Sequence, residues 1–129
     1  MATISSNVSF DSNLMNLKGI SIDAIRPEIY DLIIDGENIE MAFSTVRDQV
    51  VFTNKRIFVV NVQGITGKKV MYLSYPYSKI QYYGVQTAGM LDIDCELILG
   101  FSNGSHLQLD FRSNVDIKKI NNMISHYIL

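Results

Sequence analysis

Residues that commonly perform enzyme chemistry are few and widely separated in this sequence. It has two histidines, His106 and His126, and one cysteine, Cys95. Catalysis by side chains needs a nucleophile, a base and an orienting group, and a zinc site needs about four ligands at recognisable spacing. Because these side chains meet neither requirement, the sequence predicts no enzyme, no metal site and no cofactor.

Two short patterns resemble ligand-binding motifs but lack essential features of them. Asp92, Asp94 and Glu96 recur at every second residue, as on one face of a strand, without the turn glycine and closing carboxylate of a calcium loop. Residues 64–69 contain two glycines and two lysines, yet lysine stands where a phosphate-binding loop has serine or threonine. We therefore interpret the first pattern as a solvated acidic face and reject the second as a phosphate site.

Tyrosines are concentrated in one stretch of the chain. They are Tyr72, Tyr75, Tyr77, Tyr82 and Tyr83. Nucleic-acid stacking sites combine aromatic rings with interleaved positive charge, and Lys79 is the nearest cation here. Tyrosine is common in sheet packing and at protein interfaces. The sequence therefore predicts either packing within a sheet or a protein interface. The candidate interface residues are Tyr75, Tyr77, Tyr82 and Tyr83.

Composition and charge limit the class of protein. The chain has 129 residues, a formal net charge of -2 and no basic stripe, whereas duplex nucleic-acid binders usually carry one. A single cysteine excludes an internal disulfide, which fits a reducing compartment. The first ten residues lack the basic start and apolar core of a signal peptide, and the longest apolar runs are too short to span a bilayer. We predict a cytoplasmic protein that binds no nucleic acid.

Two segments have the three- and four-residue apolar spacing of amphipathic helices. The apolar positions of the first are Ile22, Ile25, Ile29, Leu32 and Ile33. Pro27 lies inside this set, so the helix either starts near Arg26 or bends there. The second set, which follows a capping-box-like start at Ser113 and Asp116, is Ile117, Ile120, Ile124, Tyr127 and Ile128. We predict an N-terminal helix and a C-terminal helix.

Between the two helices the apolar spacing changes to every second residue, which is typical of half-buried strands. Seven such segments are predicted from Glu37 to Phe111, separated by turn residues such as Asn103-Gly104. The pattern predicts a mainly β sandwich or barrel. Because no repeat or linker interrupts it, we predict one domain over residues 21–129. The polar residues 1–20 are assigned to an N-terminal arm, in which Asp11 could cap a short helix that ends before Gly19.

A set of short phrases in fixed order is the most specific signal in the sequence. They are Val46-Arg47-Asp48, Phe52-Thr53-Asn54-Lys55-Arg56, residues 63–69, residues 75–80 and Thr87-Ala88-Gly89, followed by Asp92 and Asp94. In this order they closely resemble the bacterial pleckstrin-homology (PH) domain family, from about Ile22 to Leu129. The resemblance implies a seven-stranded, two-sheet, partly open barrel capped by the C-terminal helix.

The resemblance also implies a function without catalysis. Members of this family resemble modules that assemble into closed rings, five-fold in single-domain forms, so it implies a cyclic homo-oligomer that docks an unidentified protein partner. An edge strand such as residues 80–87 would be buried in that assembly. The alternative is binding of membrane lipid headgroups, for which the loops offer Arg47, Lys68 and Lys69. Asp48 offsets part of this charge, and about 1 kcal/mol per basic residue gives only weak membrane binding.

Overall fold

The computed structural model describes the backbone of residues 11–87, 94–112 and 114–129 and, from residue 14 onward, their side chains. The strands are β1 (Asp11–Gly19), β2 (Ile39–Ser44), β3 (Gln49–Thr53), β4 (Arg56–Gln63), β5 (Lys69–Pro76), β6 (Ile80–Gln86), β7 (Cys95–Phe101) and β8 (His106–Phe111). The helices are α1 (Glu28–Leu32) and α2 (Ile117–Ile128), and two 3₁₀ turns span Ile22–Ala24 and Tyr77–Lys79.

The strands follow one hydrogen-bonded order, β5-β4-β3-β2-β1-β8-β7-β6. Neighbouring strands are antiparallel except β1 and β8, which are parallel. The chain divides into two compact units, the first comprising Lys18–Tyr77 and the second the described parts of Met1–Leu17 and Ser78–Leu129. The protein is mainly β with a C-terminal helix, as predicted. The predicted seven strands in two sheets are not confirmed, since residues 11–87, 94–112 and 114–129 form eight strands.

β1 is the strand that periodicity does not predict. Residues 11–19 lack a clear period of two or 3.6, and the sequence places them in an arm with a short helix. In the structure they pair in parallel with β8, and their last two residues pair with β2. The register with β8 shifts between Leu14 and Leu17, where Asn16 has a positive φ of 61°, which asparagine tolerates better than most residues. Leu17 is fully buried after this shift, so tertiary pairing decides the conformation.

The predicted N-terminal helix is replaced by two short pieces, a 3₁₀ turn and the five-residue α1. Pro27 is the N-cap residue of α1, where its missing N–H removes no helical hydrogen bond. Ile25 and Ile29 are buried, but Ile22 and Leu32 are exposed. The predicted apolar positions therefore do not form one buried helical face.

The first unit buries an apolar cluster between its sheet and the segment that precedes β2. Ile25 and Ile29 pack with Val51, Phe58 and Val60. β3 and β4 each contain four consecutive buried residues, so both faces of these strands are removed from water. Full burial of each large apolar side chain contributes roughly 1.5–3 kcal/mol. This cluster fixes the positions from which the turns at the two ends of β3 and β4 project.

The second unit packs α2 against β6 and β7. Alternate residues of β7 and β8 are buried, namely Cys95, Leu97, Leu99, Leu107, Leu109 and Phe111. α2 buries Ile117, Ile120 and Ile124, which confirms the predicted C-terminal helix. Its N-cap is Asp116, whose carboxylate accepts a hydrogen bond from the Lys119 N–H at 3.2 Å. Ser113, the other predicted capping residue, lies outside the described residues.

Candidate functional site

The β3–β4 turn adjoins a buried polar cluster centred on Glu37. The Glu37 side chain is fully buried, and Nε and Nη2 of Arg56 each donate to its carboxylate at 2.9 Å. Thr53 Oγ1 donates to it at 2.7 Å and the Ile34 N–H at 3.2 Å. Burial acts to raise the pKa of Glu37, but the hydrogen bonds from Arg56, Thr53 and Ile34 and the Arg56 charge hold it below its usual value. An ionised and fully engaged carboxylate suits a structural role rather than proton transfer.

Asn54 in the turn and Arg56, the first residue of β4, extend this cluster to the end of α1 and to the chain between α1 and β2. The Arg56 guanidinium also donates to the Leu32 carbonyl at 2.5 Å. The Asn54 side chain accepts from the Asn38 N–H at 2.7 Å and donates to the Gly36 carbonyl at 2.9 Å. Residues 52–56, which carry much of the family resemblance, therefore hold the chain before β2 against the β3–β4 turn. The side chains of Asn54 and Arg56 do so through hydrogen bonds within the protein.

The predicted basic residues lie on two turns at one end of β2–β5. Arg47 is in the β2–β3 turn, and its guanidinium donates to the Gly64 carbonyl in the β4–β5 turn. Asp48 accepts from a backbone N–H of β4 at 2.9 Å. Lys68 and Lys69 are exposed at the junction of the β4–β5 turn with β5. The structure thus links the two turns and leaves their cations accessible.

Two aliphatic side chains on the same turns were not predicted as site residues. Val46 and Ile65 have exposures of 102% and 103%, that is, full exposure. Val46 adjoins Arg47 in the chain, and Ile65 follows the carbonyl that Arg47 binds. Exposed aliphatic residues beside cations suit a membrane interface. The sequence does contain a signal for these two residues, because each is an aliphatic residue within an otherwise polar turn. A search restricted to charged residues does not find them.

Tyr77, one of the four tyrosines of the predicted interface, belongs to the core instead. It is 3% exposed, and its hydroxyl donates to the Thr53 carbonyl at 2.7 Å. It begins the 3₁₀ turn that follows β5, and this turn interrupts the alternation of the strand and directs the ring inward. The prediction that Tyr77 lies at a protein interface is therefore wrong.

The other three tyrosines lie on β5 and β6, the strands at the two ends of the order. Tyr75 on β5 and Tyr83 on β6 are half-buried, and the hydroxyl of Tyr83 lies 2.7 Å from Ser125 Oγ on α2. Tyr82 is 57% exposed. Its ring lies over Gly100 on β7, where a Cβ atom would come within 2.0 Å of ring atom Cε2. β7 therefore supports this ring while much of the ring surface stays accessible.

Register places Gln86, Glu96 and Asp110 side by side across β6, β7 and β8. We call the two acidic residues, Glu96 and Asp110, the carboxylate row, and Gln86 adjoins this row on β6. Nε2 of Gln108 donates to Glu96 at 2.7 Å and to Asp110 at 3.0 Å. Facing carboxylates repel each other in a sheet, and the bridging amide offsets part of that repulsion. The row forms a half-buried anionic surface on β7 and β8, next to the exposed Gln86 of β6.

The remaining candidates for chemistry are not brought together. His106 begins β8 and His126 lies in the last turn of α2, and both are exposed. Burial, followed by the nearby carboxylates of Asp94, Asp116 and Glu96, raises the pKa of the Cys95 thiol, which disfavours the reactive thiolate. In residues 11–87, 94–112 and 114–129, no group of three His, Cys, Asp or Glu side chains could hold a metal ion.

Asp92 of the predicted acidic pattern lies outside the described residues, whereas Asp94 is exposed and Glu96 is half-buried. A search of the described residues finds no helix with the length and apolar character needed to cross a bilayer.

Comparison with known proteins points to the family that the sequence phrases resemble. The family model described as bacterial PH domain matches residues 8–128. The uncharacterised protein YjqA of Bacillus subtilis (strain 168) is 44% identical over 92 residues, which cover 71% of this chain and 74% of YjqA. The uncharacterised protein YozO of the same strain is 28% identical over 114 residues, which cover 88% of this chain and 98% of YozO.

Solved structures show the same likeness in three dimensions. A DUF1696 family protein with a pleckstrin-homology domain from Shewanella loihica PV-4 has a TM-score of 0.78 and 35% identity, covering 90% of this chain and all of that one. A pleckstrin homology domain from Shewanella amazonensis SB2B has a TM-score of 0.65 and 36% identity, covering 85% and 90%. A PH-domain protein from Exiguobacterium sibiricum 255-15 has a TM-score of 0.50 and 24% identity, covering 80% and 56%, and supports the fold alone.

Proposed function

The chain belongs to the bacterial PH domain family, and on that premise we propose that it is a non-catalytic module that forms a cyclic homo-oligomer and docks a protein partner. The proposal includes five-fold closure, which rests on the family resemblance, and a cytoplasmic location. Fold alone does not determine function, so the proposal depends on a particular surface of this chain.

The observation that carries the proposal is the β6 edge. β6 ends the strand order, so one side of it has no partner strand within the described part of the chain. Most of its residues are exposed, and residues 80–87 contain no charged residue and no proline. Free edges are usually protected by lysine, proline or strong irregularity. The register of β6 with β7 shifts near Ile80, but from Tyr82 to Gln86 it is regular, so none of these protective features occurs in the described part of this edge.

Such an edge supports self-association by a head-to-tail contact. A contact between two different surfaces of the same chain repeats from one copy to the next, and it produces a ring when the rotation closes. Burial of the edge in this way would remove an aggregation hazard. The polar surface repeated around the ring would then bind a protein partner at several equivalent positions, which strengthens weak individual contacts.

Light scattering across a dilution series tests the assembly. We expect a stable mass near five times the 14.6 kDa of one chain. A mass of 14.6 kDa at every concentration would contradict the proposed ring, whereas a different stable multiple would contradict only the five-fold closure. Pull-down experiments with the intact oligomer, compared with a dissociated edge variant, would then test whether a protein partner requires the assembled surface.

A second candidate function is binding to anionic lipid headgroups by the linked turns. The specific observation in its favour is the full exposure of Val46 and Ile65 beside three accessible cations, Arg47, Lys68 and Lys69. Aliphatic side chains can enter the interfacial region of a bilayer while nearby cations attract anionic lipids. Because only three cations are available and Asp48 lies among them, we expect weak and salt-sensitive binding.

Vesicle flotation tests this second function. If it is correct, the chain co-migrates at low salt with vesicles that contain acidic phospholipids but not with neutral vesicles. The double variant Lys68→Glu/Lys69→Glu should abolish co-migration, and Lys118→Glu/Lys119→Glu on α2 is a control with the same change of charge. Absence of co-migration at low salt would end this alternative.

A further inference from the structure

We propose that Asn103, in the β7–β8 turn, is a site of self-modification, at which the side-chain amide is lost as ammonia and Ser105 promotes the reaction. This inference concerns chemistry within one chain and does not depend on the proposed assembly. The reaction starts when the backbone nitrogen of the next residue attacks the asparagine Cγ carbon. Asn103 is the only asparagine in the sequence that precedes a glycine, and a glycine nitrogen is the least hindered because the residue has no side chain.

The turn that contains Asn103 is tight and accessible to solvent. Ser102, Asn103 and Gly104 are all exposed. The Gly104 N–H donates to the Phe101 carbonyl at 3.1 Å, and the Phe101 N–H donates to the Ser105 carbonyl at 3.0 Å. Gly104 has a positive φ of 88°, which is typical of the last position in a short hairpin turn. Water and hydroxide therefore reach the atoms that react.

A hydrogen bond within the turn brings the two reacting atoms together. The Ser105 N–H donates to Oδ1 of Asn103 at 3.0 Å, and asparagine commonly bonds the backbone two residues ahead in this way. This bond closes a ring of atoms that includes both the Asn103 Cγ carbon and the Gly104 nitrogen. The side chain is thereby folded back toward the nitrogen that attacks it, so less conformational freedom is lost on the way to the transition state.

The Ser105 hydroxyl supplies a second donor to the same oxygen. Oγ of Ser105 donates to Oδ1 of Asn103 at 2.6 Å, which is at the short end of the range for a hydroxyl donor. Attack on Cγ places negative charge on Oδ1, and donors aimed at an oxygen where charge develops stabilise the transition state. The N–H and O–H groups of one residue therefore form a pair of donors where the reaction needs them.

The reaction balances in atoms and charge with water as its only co-reactant. The Gly104 nitrogen loses its proton to hydroxide and bonds to Cγ of Asn103, after which the Cγ–Nδ2 bond breaks and ammonia leaves with a proton from water. Water then opens either carbonyl–nitrogen bond of the cyclic succinimide, which gives aspartate or isoaspartate at position 103. Both products add a negative charge to the turn. Isoaspartate also lengthens the backbone by a methylene group between two strands that are in register.

One contact opposes the reaction. The Gly104 N–H must leave the Phe101 carbonyl before its nitrogen can attack, so the reaction proceeds from conformations in which this bond has opened locally. Gln63, the last residue of β4, also precedes a glycine and provides an internal comparison. Its longer side chain must close a larger ring, which forms more slowly.

Peptide mapping of the full chain after incubation in mildly alkaline buffer tests the site. Trypsin, which cleaves after lysine and arginine, releases residues 80–112, in which Asn103 is the only asparagine, and residues 57–68, which contain Asn61 and Gln63. We expect the first peptide to gain the mass difference between an amide and a carboxylic acid, in aspartate and isoaspartate forms that separate on chromatography. The second peptide should keep its mass over the same time. A first peptide that reacts no faster than the second would overturn the proposal.

The variant Ser105→Ala tests the role of the hydroxyl. It keeps the backbone N–H but lacks Oγ, so the folded chain should react about threefold more slowly, a modest factor because this donor is not shielded from water. Ser102→Ala in the same turn is the matched control and should react at the rate of the parent chain. Circular dichroism before incubation must show that both variants fold as the parent does.

The same three chains in urea separate an effect of the fold from an effect of local sequence. In urea the turn is lost, so the parent, Ser105→Ala and Ser102→Ala should all react at one rate. Equal rates for the parent and Ser105→Ala in the folded state would overturn the role of Ser105. A difference that persists unchanged in urea would overturn it as well, because the turn geometry would then play no part.

Discussion

The β3–β4 turn and the β6 edge are both prominent in the sequence, the first for its specific phrase and the second for its tyrosines. On either side of the turn, Thr53 and Arg56 bind the Glu37 carboxylate, and Asn54 in the turn binds backbone groups of the loop before β2. On β6, one side of the strand has no partner among the described residues, and most side chains are exposed. The polar groups at the turn form hydrogen bonds within the protein, whereas the backbone groups on the open side of β6 can form hydrogen bonds with another chain.

This difference separates the determinants of stability from those of recognition. Removing one member of a satisfied buried cluster leaves its partners unpaired, which is strongly destabilising. An exposed edge strand contributes less to its own unit, and its free backbone groups gain bonds only when another chain arrives. Substitutions in the turn should therefore change the free energy of unfolding, and substitutions on the edge should change association.

The largest effect on stability is expected for Glu37→Ala. This change leaves the Arg56 guanidinium without its carboxylate in a half-buried position, and we expect a loss of about 3 kcal/mol in the free energy of unfolding. Urea denaturation measures the loss. Asp35→Ala, an exposed carboxylate two residues earlier, is the matched control and should cost less than about 0.5 kcal/mol. Equal losses in the two variants would contradict the assignment of a structural role to Glu37.

Tyr82→Lys should weaken association strongly while changing the free energy of unfolding little. It places a charge in the middle of the β6 edge, so the dissociation midpoint of the oligomer should rise at least tenfold. Because Tyr82 is more than half exposed, the free energy of unfolding of the monomer should fall by no more than about 1 kcal/mol. Tyr82→Phe, which keeps the ring over Gly100, is the control and should assemble normally. If the Tyr82→Lys variant kept the oligomeric mass of the parent chain on dilution, β6 would not be part of the interface.

Acidification should reduce the contribution of Glu37 to the free energy of unfolding. The pKa of Glu37 is lowered in the folded chain, so its stabilising effect is complete above the unfolded value of about 4.3 and is lost as the pH falls through the folded value. We expect the difference in free energy of unfolding between the parent chain and Glu37→Gln to be largest near neutral pH and to shrink below about pH 4. A difference that grows on acidification would mean that the carboxyl group is protonated in the folded state.

The smallest effects are expected for Gly84→Ala, which should slightly raise the free energy of unfolding but weaken assembly. Open space surrounds the Cβ direction of Gly84, and replacing a strand glycine stabilises by roughly 0.5 kcal/mol through the unfolded state. The added methyl group should weaken assembly a few-fold, because it occupies space on the docking edge. Gly19→Ala has equally open surroundings and should stabilise the chain without any change in assembly. Loss of assembly in both variants would point to a general effect on the fold.

Much of the fold could be predicted from local spacing. The period of 3.6 in the last segment predicts α2, and the period of two predicts the buried alternation of β7 and β8. Local spacing fails for β1, because its conformation depends on parallel pairing with β8, almost a hundred residues away in the chain. It also fails around Pro27, where a regular apolar spacing suggested one helix but the backbone forms two short pieces.

The candidate sites were predictable as residue types but not as arrangements. Charge alone identified Arg47, Lys68 and Lys69, but the hydrogen bond that joins the turns involves a carbonyl, which no sequence search highlights. Aromatic density identified Tyr82 together with Tyr77, although one is largely exposed and the other is buried. Residue type does not determine exposure where a strand passes into a turn.

The sequence by itself determined the family, the mainly β class, the C-terminal helix and the scarcity of catalytic side chains, because these follow from composition, short phrases and local period. The tertiary structure alone decided that Glu37 meets Arg56, that the Tyr82 ring lies over Gly100, and that β5 and β6 end the strand order. Each of these depends on which distant segments become neighbours. Local spacing reports which face of an element is buried, but it does not report what covers that face or which edge remains open.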